Sequence, residues 1–358
     1  MQQPAPVPHE EPSAQSADRT RSVSIFDVAK AAGVSHQTVS RVVNGSPKVR
    51  KATRDRVLEV IDELGYKPNR LARALAGGVV RSVTVLTSDT TLYGASLALR
   101  GIEEAARAAE FSVAISVLDA SAPLTPDDVA SRLARPGEPV LVIAFNASGE
   151  RAWHALPQEF PAAAVVERPE DGRAGSRPEV WLDDRTAAAQ ATRYLLSLGH
   201  RTVHYMAIPS STARVGQRSD GWRDALAAAG RSVPEPLEGG WSPRSGYLAA
   251  RALVADPEVT AVLCGNDELA LGALRAAREA GRDVPGDLSV VGFDDAPYAG
   301  YTHPALTTVR LDFEGLGRGA FGMLYRLLDP ENAPLPPLWA EPELIVREST
   351  GPAPGRSR

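Results

Sequence analysis

The stretch GVSHQTVSRVVNG, residues 33 to 45, carries His36 and Gln37 at its front and Arg41 one turn further on. These types suit one kind of chemistry. Gln bonds an adenine edge in a bidentate way, Arg does the same to guanine, and an imidazole can donate or accept. Val39, Val42 and Val43 would turn away from that polar face into a core. Ser40, Asn44 and the cluster Lys48–Lys51 are placed for phosphate contacts, which position a protein on DNA without specifying a sequence. For Gln37 and Arg41 the plain alternative is a solvated helix face.

Nothing in the chain has the pattern of a catalytic centre. There is no G-x-S-x-G elbow, no metal-ligand cluster and no Gly-rich phosphate loop at a strand end. The six histidines (His9, His36, His154, His200, His204, His303) are scattered, and His200 and His204 at a strand start read as structural. The expectation is a protein that is not an enzyme and uses no metal or cofactor.

The elements around the polar face have helical spacing. Ile25, Val28, Ala29 and Ala32 recur at i, i+3, i+4, i+7, as do Val57, Val60, Ile61 and Leu64. Ser24-x-x-Asp27 is a capping signal for the first helix. Gly33 ends that helix, Ser35 can cap the second, and Gly65 ends the third. A helix, a Gly-containing turn and a second helix form the helix-turn-helix plan, whose second helix reads the major groove with its N-terminal residues. Next comes YKPNRLARALAGG. Pro68 stops the third helix, Asn69 can cap a short new one, and Gly77-Gly78 end it. An isolated helix of about two turns is marginal in water and is expected to order only on a partner.

Charge supports the same reading. Residues 21–78 hold 11 Lys and Arg against 5 Asp and Glu, a net +6, so the remainder of the −5 chain carries −11. A basic segment on an acidic body suits an anionic partner such as nucleic acid. The 358 residues predict two or three domains, and 43% hydrophobic with 23% charged residues is ordinary for a globular chain. A single cysteine, Cys264, allows no intrachain disulfide and fits a reducing compartment. Residues 1–20 are Pro-, Gln- and Ser-rich, read as a disordered tail, and lack the features of a signal peptide. No apolar run is long enough to span a bilayer, so a cytoplasmic location is expected.

After Arg81 strands and helices alternate. Strand candidates are 82–88, 111–119, 139–145, 202–208, 260–266 and 288–295, with amphipathic helices at 97–110, 186–198, 215–229 and 268–280. Such alternation gives doubly wound parallel α/β architecture. Roughly 270 residues is large for one such sheet, and two α/β subdomains flanking a cleft fit better.

The quoted residues closely resemble the lactose/galactose repressor family. The resemblance runs from VSIFDVAKAAGVSHQTVSRVVNG through LGHRTVHYMAIP, RSDGW, GNDELALGAL, VPGDLSVVGFDD and HPALTTVRLDF to PELIVREST. It implies a helix-turn-helix domain at 21–68, a hinge helix and linker at 69–78, and a periplasmic-binding-protein-like core at 79–350. That core would divide into one subdomain at about 80–166 and 312–341 and another at about 167–311 and 342–350, with a tail at 351–358. It also implies a homodimer on a palindromic operator, regulated by a small effector in the cleft, with induction favoured over corepression. The implied DNA contacts are Ser24, Ser35, His36, Gln37, Thr38, Ser40, Arg41, Asn44, Lys48, Asn69, Arg70, Ala72 and Leu75, the last a minor-groove wedge. The implied effector contacts are Ser88, Tyr93, Arg218, Trp241, Asn266, Asp294 and Phe313. They suit a saccharide or glycoside, with a purine as the alternative. Other roles are open for several of these. Arg218 could pair with Asp294, Trp241 could be a packed loop aromatic, and Trp222 reads as core. Leu311 stands where the family often has a polar contact, which would leave one corner of the cleft apolar. A solute-binding protein without gene control is the rival class, disfavoured by the helix-turn-helix.

Overall fold

The computed structural model describes residues 23–43, 48–66, 81–119, 124–133, 135, 137–166, 177–209, 216–334 and 339–355. The expectations for the 1–20 tail, for Asn44 and for the 69–78 hinge with Asn69, Arg70, Ala72 and Leu75 lie outside these residues. The chain divides into two compact units, residues 1–80 and 81–358.

The first unit holds α1 (Ile25–Ala32), α2 (His36–Val43) and α3 (Lys51–Glu63). Its local signals work as read. Ser24 caps α1 in a full capping box, with Asp27 returning a carboxylate oxygen to the Ser24 N–H at 2.8 Å. Gly33 closes α1 at φ 66°, a left-handed conformation that favours glycine. The Ser35 hydroxyl accepts from the Thr38 N–H at the start of α2. Arg50, at the start of α3, makes no side-chain cap bond, so that position carries charge in place of a cap. Val28, Ala29, Ala32, Val39, Val42, Val57 and Val60 form the shared core.

The second unit contains two sheets. The first consists of β1 (Ser82–Thr87), β2 (Ser112–Val117), β3 (Val140–Ala144), β4 (Ala162–Val166) and β5 (Glu179–Val180), all parallel, in the order β2-β1-β3-β4-β5. The second consists of β6 (His204–Ala207), β7 (Leu237–Glu238), β8 (Ala261–Cys264), β9 (Ser289–Asp294), β10 (Thr307–Arg310) and β11 (Glu343–Ile345). Its order is β11-β10-β9-β8-β6-β7, parallel except for the β10–β11 pair. The connecting helices are α4 (Tyr93–Ala108), α5 (Pro126–Ser131), α6 (Ala147–Ala155), α7 (Asp184–Ser197), α8 (Gln217–Ala228), α9 (Pro243–Ala255), α10 (Asp267–Glu279) and α11 (Phe313–Leu328). The chain passes between sheets after β5, after β10 and after α11. The first sheet thus keeps the chain through Val180, beyond the 166/167 crossover expected from the family. Trp222 is fully buried, stacked on Tyr205 and bonded to the Val203 carbonyl, which is the core role expected for it. His200 is likewise buried, within bonding distance of Thr260 and Ser289. No helix among the described residues is long and apolar enough to cross a membrane.

Helices α4 and α11 approach at their glycines. A Cβ built at Gly101 would overlap the Glu314 carbonyl, and one at Gly317 would overlap the Ala98 carbonyl. Both obstacles are backbone, which cannot swing aside. Gly101→Ala should therefore destabilise the protein by about 1–3 kcal/mol, the usual range for overpacking. Urea unfolding measures this, and an unchanged midpoint would show that α4 and α11 can slide apart freely.

Candidate functional site

Two surfaces gather the residues singled out above. The first is α2. His36, Gln37 and Arg41 are exposed, while Val39 and Val42 are buried and Val43 is half-buried. The amphipathic division read from the sequence is therefore the one the helix adopts. The Ser24 and Ser35 hydroxyls are engaged in capping, and Thr38 bonds Ser35 at 2.9 Å. These three fix the helix starts. Lys48 is exposed and Ser40 half-buried.

The second is a cavity of about 300 Å³ between the two sheets, at the carboxyl ends of β1, β3, β4, β6, β8 and β9. Ligands in doubly wound folds bind at that end, where the strands finish and the loops diverge. Six of the seven expected effector residues line it: Tyr93, Arg218, Trp241, Asn266, Asp294 and Phe313. Ser88 does not. Its hydroxyl accepts a 2.6 Å bond from the Asn146 side chain, which caps α6, so Ser88 serves the fold. Leu311 also needs correction. It is buried in the core between the sheets and is not among the residues lining the cavity.

Arg218 is the electrostatic centre. Nε donates to Asp184 at 2.8 Å, and Nη1 donates to the Gly265 carbonyl at 2.5 Å and lies 3.4 Å from Asp294 Oδ1. The guanidinium also stacks 4.2 Å over the Phe293 ring. Arg218 thus joins α7, β8 and β9 as well as facing the cavity, and both readings of it hold. Burial pushes the Asp294 carboxyl up to about 7, with Arg218 pulling against it. Asp294 and Asp295 both have positive φ, 112° and 52°, an uncommon conformation for residues with side chains. Asp295 is secured by Arg347 at 2.6 Å and Arg310 at 2.8 Å, which offsets that strain. Asp267 is buried and pushed well above the carboxylate range by desolvation, and it accepts from Thr308 and from the Ala296 N–H. These bonds hold it in the fold, and it also lines the cavity. The Asn266 side-chain oxygen caps α10 at 2.8 Å, and its NH₂ makes no hydrogen bond of its own among the described residues.

Apolar walls complete the cavity. The Phe313 ring meets Tyr93 edge-on at 6.4 Å and Phe145 at 5.6 Å. Trp241 packs on the core of the second sheet and also lines the cavity. The sequence reading missed Asp89, Phe145, Asp184, Glu268 and Tyr298, which line it too. Phe145 was findable, since it ends a recognised strand at the carboxyl edge. Asp184 was not, because only folding brings it to Arg218. One of its oxygens is bonded to Arg218, and the other is buried without a hydrogen bond among the described residues.

Comparison with known proteins covers both units. Residues 24–69 match the family of bacterial regulatory proteins, lacI family, and residues 192–350 match a periplasmic binding protein-like domain. Catabolite control protein A of Priestia megaterium is 31% identical over 316 residues, covering 86% of this chain and 93% of that protein. A crystal structure of the lac repressor dimer bound to operator and the anti-inducer ONPF superposes with a TM-score of 0.74 at 30% identity, covering 92% of this chain and all of that one. A complex of the transcriptional regulator CelR with cellobiose gives 0.65 at 29% identity, covering 91% and 99%. A reading helix in one unit and a ligand-sized cleft in the other, on a sequence shared at this level over most of its length, mean that the chain belongs to the lacI family of DNA-binding transcriptional regulators.

Proposed function

We propose that the protein is a homodimeric repressor of carbohydrate-utilisation genes and releases its operator when a neutral saccharide or glycoside fills the cleft. In this reading residues 21–68 bind DNA, 69–78 form the hinge, and 79–350 dimerise and bind effector. The protein acts in the cytoplasm, where its operator is. The effector favours one arrangement of the two subdomains, and its differential affinity for the two limits the response.

The observation that carries this reading is the chemistry of the cavity wall. Among the described residues, Asp89, Asp184, Asp267, Glu268 and Asp294 line it against one guanidinium, Arg218, already bonded to two of them. Even with burial favouring the protonated form of Asp267, a phosphate or carboxylate ligand would meet more acids than guanidinium groups there. A sugar would instead donate its hydroxyls to the acids and set its C–H face on Phe313 or Trp241. Support by analogy comes from cellobiose in the CelR complex.

The test is a thermal-shift screen of the full chain against neutral mono- and disaccharides and their phosphates, followed by operator binding. A neutral sugar should raise Tm by mass action and weaken operator binding at least about tenfold. Stabilisation only by anionic sugars would defeat the charge argument. A sugar that strengthened operator binding would make the protein a corepressed regulator.

A further inference from the structure

Tyr298 stands in the turn that follows β9, and its half-buried side chain lines the cleft. The turn is tightly bonded. The Ala299 N–H donates to the Ala296 carbonyl, the Tyr301 N–H to the Tyr298 carbonyl and the Leu306 N–H to the Ala299 carbonyl, each at 2.8 Å. Asp295, just ahead of the turn, is held by Arg310 and Arg347. The backbone that carries the Tyr298 ring is therefore fixed. Yet the hydroxyl at the end of the ring is buried and makes no hydrogen bond of ordinary geometry among the described residues. Leaving a buried polar group unpaired costs about 1–3 kcal/mol. A phenylalanine would fill the same space without that cost, so packing alone does not account for the hydroxyl. Asp184 Oδ1 is a second buried atom on this wall with no bond among the described residues, so the Tyr298 hydroxyl is not an isolated misfit.

The surroundings define what the hydroxyl suits. Burial, with the Glu268 and Asp267 carboxylates near it, pushes the phenol well above its ordinary value, so it stays protonated and donates. Glu268 lines the same wall and, as a carboxylate, accepts. A ligand atom that meets both must accept from one and donate to the other. An alcohol hydroxyl does both, whereas an ionised phosphate or carboxylate oxygen only accepts.

We propose that Tyr298 is a specificity-determining residue of the cleft, donating to one hydroxyl of a neutral sugar that in turn donates to Glu268. This rests on the saccharide reading of the cleft.

The experiment titrates the full-length protein by calorimetry with cellobiose, maltose, lactose, trehalose, glucose and galactose. The tightest binder and each of its monodeoxy analogues are then measured against wild type, Tyr298→Phe and Glu268→Ala. Tyr298→Phe should bind the parent sugar about tenfold more weakly. One deoxy analogue should cost the wild type about the same factor and cost Tyr298→Phe and Glu268→Ala nothing further, because all three changes remove one shared contact. The other analogues should discriminate equally in all three proteins. Without sugar, the Tm of Tyr298→Phe should hold or rise, since the change deletes an unpaired buried group. Parent-sugar affinity within about twofold of wild type, additive losses at every deoxy position, or a lower sugar-free Tm would overturn the proposal and leave the saccharide reading intact. If none of the six sugars binds the wild type, the saccharide reading fails and the role of Tyr298 fails with it.

Discussion

Replacing Arg218 by alanine is expected to destabilise the protein by about 3–5 kcal/mol, the range for removing one partner of a buried ion pair, and to abolish the response to effector. The intact pair contributes little net stability; the damage comes from what is left behind. Asp184 and Asp294 would lose their counter-charge, and the Gly265 carbonyl would lose its donor. Arg218→Lys should not restore function, since an ammonium cannot serve three acceptors in a fixed fork. The effector response is best compared at a temperature where the variant remains folded.

The same substitution should change how stability depends on pH. Asp294 titrates at about 7 in the folded protein and near 4 when unfolded. The folded state therefore binds the extra proton, and this contribution to stability declines as pH rises through that window. Without Arg218 the Asp294 carboxyl moves further up, and the decline continues above 7. Urea unfolding between about pH 5 and about pH 8.5 should show the variant's deficit growing with pH, with Asp294→Asn flattening the dependence in the wild-type background. A deficit equal at every pH would mean that packing, not the stranded carboxylates, sets the loss.

What the sequence shows and what it hides divides by distance along the chain. The capping box, the Gly33 stop and the valine stripe of α2 act within four residues, so the DNA-reading unit could be read directly. The longer strands announced themselves as β-branched runs. β4 did not, because AAAVV has more helix formers than strand formers. β5 and β7 are two residues long, below any periodicity. In the cleft, resemblance supplied most of the positions and folding supplied their partners. Arg218 meets Asp184 across 34 residues of sequence and Asp294 across 76. Ser88 and Leu311 mark the limit of carrying roles across a family. A neighbouring asparagine recruits one, and burial between the sheets claims the other.

Gln37→Ala and Arg41→Ala should each lose about 1–3 kcal/mol of discrimination at one base pair. Neither should affect folding, because both side chains are exposed on the face of α2 opposite the buried valines. On a palindromic operator a homodimer meets each substitution twice, once per half-site, so the loss of specific affinity should approach double that figure. Lys48→Ala should behave differently. A lysine on a phosphate weakens binding to all sequences alike and lowers the salt slope by about one per contact. Comparing the three variants on matched and mismatched duplexes at several salt concentrations separates reading from positioning. If Gln37→Ala and Arg41→Ala weaken every duplex equally, these residues are a solvated helix face. Specificity would then have to come from parts of the chain other than α2. If they alter the preferred bases and leave the salt slope nearly unchanged, the polar cluster on this short helix is the part of the protein that chooses its operator.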